Sequence, residues 1–114
     1  MFELKVVTDF AAAHQLKMVA KKCENLHGHN YKLIITIEGQ VQEDGMVMDF
    51  KLIKEAVNEE VVDILDHTHL NDRLPNPSAE NLAVWIWDKL KGKIPVVKVA
   101  VYETDDYVAE YTGE

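Results

Sequence analysis

Five histidines stand in this 114-residue chain, and two of them are separated by a single glycine in His27-Gly28-His29. Residues i and i+2 of an extended chain leave the backbone on one face, so a strand beginning there lets the two imidazoles converge. His14 closes an upstream run, Phe10-Ala11-Ala12-Ala13. If the segments on either side of residues 15–26 pair antiparallel, His14 comes to lie beside the pair. Three neutral ring nitrogens at one spot leave a zinc ion one open position, the arrangement of a catalytic rather than a closed structural site. The other reading of the same residues is surface or capping histidines.

Cys23 precedes His27 by four residues, between Lys22 and Glu24. Neighbouring cations favour the thiolate, which is the reactive form. The residue could equally fill space in the core, or complete a closed site as a fourth ligand. In Leu65-Asp66-His67-Thr68-His69-Leu70 a carboxylate adjoins an imidazole. Neighbours within a helix do not face each other, so an Asp66–His67 hydrogen bond requires the helix to have ended. Such a bond fixes a catalytic imidazole's tautomer. Alternatively His67 and His69 complement the negative end of a helix dipole. Glu103 falls on the valine face of Val101-Tyr102-Glu103-Thr104. There it is either at an exposed strand end or paired with a cationic ligand.

The elements that must position these groups follow from periodicity. Phe2, Leu4 and Val6 alternate with polar residues and begin a strand over Phe2 to Ala13, ended by His14. Gln15 to Leu26 has no sustained period and reads as a long loop carrying Lys17, Lys21 and Lys22. Tyr31, Leu33, Ile35 and Ile37 alternate through a second strand from His29 to Glu38, and Gly39 to Gly45 is compatible with a hairpin turning into Met46 to Asp49. Leu52, Ile53, Ala56, Val57, Val61, Ile64 and Leu65 recur every three or four residues, an amphipathic helix. After Pro75 and Pro77, Ser78 stands as N-cap to a second helix through Leu82, Ala83, Ile86 and Leu90, which Gly92 and Pro95 end. Val97, Val99 and Val101 form another strand, and Tyr107 to Tyr111 a last one. The order ββααββ fits an α+β layer, a four-stranded antiparallel sheet with two helices on one face.

The length argues for one domain over residues 1–114. Twenty acidic residues against twelve basic ones give a net charge of −8, which opposes nucleic-acid backbones and anionic membrane surfaces, and no apolar run approaches a bilayer span. The single cysteine excludes an internal disulfide, and Met1 to Val7 alternates instead of forming the apolar block of a signal peptide, so a cytoplasmic location is expected.

Taken together, Ala13-His14, the run Cys23 to Tyr31 with its Cys-x-x-x-His-Gly-His core, Leu65-Asp66-His67 with Leu70-Asn71-Asp72, Asn76 to Asn81, and Tyr102-Glu103-Thr104 resemble the 6-pyruvoyltetrahydropterin and 6-carboxytetrahydropterin synthase family. The resemblance runs from Phe2 to Glu114. It implies a tunnelling fold that trimerises into a barrel, two trimers stacking as a homohexamer with active sites between subunits. It also implies 7,8-dihydroneopterin triphosphate as substrate. Carried onto this chain, His14, His27 and His29 match the zinc ligands and Cys23 the catalytic thiol. Asp66 and His67 match the partners that manage its proton from a neighbouring subunit. Glu103 matches the carboxylate anchoring the pterin, with Ser78 expected beside the substrate.

The chain ends soon after Glu103, as in compact members that release acetaldehyde and leave a 6-carboxy group, the precursor of queuosine. That favours 6-carboxytetrahydropterin over 6-pyruvoyltetrahydropterin as product. Glu24 in Glu-x-x-His-Gly-His also resembles a branch in which glutamate replaces the thiol and 6-hydroxymethyldihydropterin forms. Lys17, Lys21, Lys22 and Arg73 are the cations available for a triphosphate. The rival from another class is a non-catalytic zinc-stabilised oligomeric domain, which leaves Glu103 without a role.

Overall fold

The computed structural model describes residues 1–16 and 25–113. Two 13-residue strands, β1 (Phe2–His14) and β2 (His27–Gly39), pair antiparallel along their whole length, from Phe2 opposite Gly39 to His14 opposite His27. Their alternation sorts side chains by face: Val6, Phe10, Ala12 and His14 of β1 are buried with Tyr31, Leu33, Ile35 and Ile37 of β2. Strand β4 (Val96–Thr104) extends the sheet beyond β2, and β5 (Tyr107–Tyr111) pairs with β4, both antiparallel.

The helical layer opens where Asp49 accepts a hydrogen bond from the Lys51 amide and caps α1 (Phe50–Val57), a contribution of about 1 kcal/mol. The helix then passes through a π-helical turn (Asn58–Val62) into α2 (Asp63–Leu65). Its buried residues Ile53, Val57, Val61 and Leu65 repeat every four positions. In an α-helix four residues overshoot a turn by about 40°, so this row would drift off the core. The π turn takes more residues per revolution and removes part of that drift. Helix α3 (Ala79–Leu90), capped by Ser78, buries Leu82, Ala83, Ile86 and Leu90 against the same sheet face.

Two sequence-based expectations need correction. Among the described residues the sheet has five strands, in the order β3-β1-β2-β4-β5, because β3 (Thr68–His69) adds to the edge of β1 as a parallel pair. The Met46 to Asp49 segment is not a strand. The edge of β2 that such a hairpin would occupy is taken by β4, and Asp49 is committed to capping α1.

Candidate metal centre and its exposed neighbour

The register of β1 and β2 brings three histidines together. His14 lies opposite His27, and Ala12 opposite His29, on the face that carries the core. The apolar columns Val6-Phe10-Ala12 and Ile35-Leu33-Tyr31 therefore end in imidazoles. On β4 the same face carries Val99 and Val101, and the next residue in that alternation is Glu103. The pairing of β4 with β5 slips between Tyr102 and Thr104, a bulge of the kind that re-aims side chains beside functional sites.

Here His29 Nε2 is 3.0 Å and His14 Nε2 is 3.6 Å from Glu103 Oε1. One ligating atom from each of His14, His27, His29 and Glu103 falls within a 4.8 Å spread. The hydrogen bonds behind the rings decide which nitrogens are available. His14 Nδ1 is 2.9 Å from the Pro77 carbonyl oxygen, and His27 Nδ1 is 2.9 Å from that of Asn25. A carbonyl only accepts, so each ring donates from Nδ1 and carries its lone pair on Nε2. Those two Nε2 atoms are 3.0 Å apart. Two lone pairs so close repel unless a cation lies between them, and a carbonyl behind each ring is the usual second support of a metal-bound histidine. The donor set thus fits a divalent ion of the imidazole- and carboxylate-binding kind.

Asp66 and His67 occupy a different setting. Helix α2 ends at Leu65, and Asp66 turns into extended backbone. Its Oδ1 accepts from the Ala11 amide at 2.9 Å, while the His67 amide donates to the Ala11 carbonyl at 2.6 Å, fastening the corner to β1. His67 takes φ +59°, a left-handed conformation costly for a residue with a Cβ. Its Nδ1 lies 3.0 Å from Asp66 Oδ2, and its side chain is 82% exposed. Nδ1–H donating to the carboxylate leaves Nε2 facing solvent. The amide of Ala11 holds the Asp66 carboxyl below its ordinary value, desolvation opposes this, and the bond and charge of His67 add to the lowering.

His67, Thr68 and His69 wall a concavity of about 620 Å³ together with residues 11–13 and 28–30, so that it reaches His29 of the cluster. Ala11 pairs with Asn30 and Ala13 with Gly28, rungs whose side chains alternate away from the core. The described residues form two groups: a half-buried imidazole and carboxylate cluster at the end of the core face, and the Asp66–His67 pair with its exposed imidazole at the β1 edge, the concavity touching both through His29 and His67. His69 sits in β3 beyond the helix end, its Nδ1 4.0 Å from Asp72.

Cys23 and Glu24, with Lys17, Lys21 and Lys22, lie outside the described residues. Ser78 Oγ accepts from the Asn81 amide at 3.1 Å as the α3 cap, and Arg73 is exposed at a 3₁₀ turn. Reading by residue type missed the groups behind the rings. The Pro77 and Asn25 carbonyls are backbone and leave no mark in composition. Tyr31, whose hydroxyl is 3.1 Å from His14 Nδ1, is an ordinary member of an alternating apolar row. Its position two residues after His29 is the one signal that could have found it.

Comparison with known proteins gives this geometry a family. The family model described as 6-pyruvoyl tetrahydropterin synthase matches residues 3–114. An Archaeoglobus fulgidus protein provisionally named 6-carboxy-5,6,7,8-tetrahydropterin synthase is 44% identical over 106 residues, covering 92% of this chain and 90% of that protein. The dihydroneopterin monophosphate aldolase of Pyrococcus furiosus is 35% identical over 105 residues, 89% of each chain. Among solved structures, 6-pyruvoyl tetrahydropterin synthase of Caenorhabditis elegans superimposes with a TM-score of 0.87 at 27% identity, covering 99% of this chain and 96% of that one. The match spans every element that carries the histidine cluster, Glu103 and the Asp66–His67 corner, and with it the chain belongs to the 6-pyruvoyl tetrahydropterin synthase family, an enzyme of the pterin synthase class of lyases.

Proposed function

We propose that this chain is a zinc-dependent synthase acting on 7,8-dihydroneopterin triphosphate. With one water consumed, its products are 6-carboxy-5,6,7,8-tetrahydropterin, acetaldehyde and triphosphate. The observation that carries the reading is the convergence of His14, His27 and His29 with Nδ1 of His14 and His27 held by carbonyls, leaving Nε2 to bind. When bound, zinc supplies Lewis acidity toward the hydroxyls of the substrate side chain, stabilising oxyanion character as a neighbouring bond breaks.

The remaining work belongs to the chain. Glu103 anchors the amino-pyrimidinone edge of the pterin, its carboxylate accepting from ring N–H groups. Ser78 Oγ already accepts from Asn81 and keeps its hydroxyl proton to offer the substrate. Cys23 takes and returns the proton at the reacting carbon, and His67 Nε2, with Nδ1 held by Asp66, exchanges that proton with the thiol. The His67 imidazole is exposed at the β1 edge, and the Asp66–His67 pair serves a neighbouring subunit's cluster within a homohexamer. Lys17, Lys21 and Lys22 offset the acidic surface toward the triphosphate.

A second reading is 6-hydroxymethyldihydropterin formation by Glu24 in place of Cys23, which the resemblance to a dihydroneopterin monophosphate aldolase favours. Product analysis by mass spectrometry separates the two. Cys23→Ala abolishes the carboxy product while Glu24→Ala leaves it nearly intact. The reverse pattern overturns the assignment in favour of the hydroxymethyl branch.

A further inference from the structure

We propose that the Tyr31 hydroxyl is a positioning group for the metal ligand His14. The proposal rests on the metal reading of the histidine cluster. Tyr31 is fully buried, and a buried hydroxyl costs free energy unless it is hydrogen-bonded. Phenylalanine would fill the same apolar space, so burial in the row Tyr31-Leu33-Ile35-Ile37 gives no reason for the oxygen. The oxygen lies 3.1 Å from His14 Nδ1, the nitrogen that also faces the Pro77 carbonyl at 2.9 Å.

His14 is thus held from two sides: by β2 through Tyr31, and by the segment leading into α3 through Pro77. The Nδ1 proton is shared between two oxygens, which fixes both the tautomer and the rotation of the ring. The phenol ring is itself immobilised. It stacks on Phe10 at 5.1 Å and 14° and stands edge-on to His14 and His29, at 6.0 Å and 5.6 Å. One side chain therefore buttresses two of the three ligands and fastens one of them by a hydrogen bond. Pro77 cannot shift freely either, because Ser78 N and Asn81 Nδ2 both donate to the Asn76 carbonyl, at 2.8 and 2.7 Å.

The test is zinc affinity by chelator competition in Tyr31→Phe, with melting of the metal-free proteins measured alongside. Tyr31→Phe should bind zinc about ten- to a hundredfold more weakly than the parent, with metal-free melting little changed. Affinity within twofold of the parent overturns the proposal, as does a loss confined to metal-free melting. His27→Ala run in parallel separates the two readings: if it too keeps parental zinc affinity, the metal reading falls and takes the proposal with it. Nitrogen-15 spectra of the unaltered zinc-loaded protein give a readout independent of any variant's folding. A proton on His14 Nδ1 and metal on Nε2 are expected, and metal on Nδ1 overturns the proposal.

Discussion

Two sites at the C-terminal end of β1 hold their histidines in opposite ways. On the core face His14 is wholly buried and meets Pro77, Tyr31 and His27. At the corner after α2, His67 stands in solvent with one carboxylate behind it and a left-handed backbone beneath it. The first arrangement suits a group that must stay still, since a ligand displaced by a fraction of an ångström loses its metal. The second suits a group that completes something it does not itself contain. No hydrogen bond to His67 Nε2 is made among the described residues, and the proposed function assigns that nitrogen to a neighbouring subunit's site.

The contrast is broken most severely by His27→Ala. Zinc content should drop from stoichiometric to near zero and activity with it, whereas Cys23→Ala should retain zinc while losing the carboxy product. Equal zinc loss in both variants would make the site a closed structural one.

Next in size is His67→Ala. Zinc content should be unchanged and kcat should fall by about 10²- to 10⁴-fold, the usual contribution of a positioned acid or base. A rise in KM with kcat preserved would instead make His67 a binding residue. Glu103→Gln sharpens the boundary between the two regions from the cluster side. It should weaken substrate binding while zinc stays bound, and loss of zinc equal to that in His27→Ala would make Glu103 a ligand.

How much of this was legible beforehand differs between the same two regions. Alternation predicts strands over Phe2 to Ala13 and His29 to Glu38, close to the observed Phe2–His14 and His27–Gly39, and antiparallel pairing alone puts His14 beside His27. The corner was less legible. A two-residue strand such as Thr68–His69 has no period to detect, and its pairing with β1 depends on Asp66 reaching Ala11, 55 positions away in sequence. The π turn was hidden as well, because residues spaced by four satisfy an α-helical pattern locally and drift only over several turns. Glu103 was placed on the cluster's face by alternation, while the slip in β4–β5 pairing at that residue is nothing the residue types announce.

The smallest expected effect is on acid stability. The Asp66 carboxyl is held below its ordinary value of 3.8, first by the Ala11 amide. Its contribution to stability is therefore fully present above that value and is lost as pH falls through the lowered, folded one. Asp66→Asn should flatten this acid limb slightly in melting curves taken from pH 6 downward. A parent and variant with parallel curves would show that the bond adds nothing.

The claim that joins both regions is that a working site takes its metal cluster from one chain and its Asp66–His67 pair from another. Subunit exchange between inactive Cys23→Ala and inactive His67→Ala proteins tests it directly. Random mixing in equal amounts leaves about one site in four with both residues intact in a cyclic assembly, so activity should return toward a quarter of the parental value. No recovery, with exchange demonstrated by mixed oligomers in native mass spectrometry, would contradict a shared site.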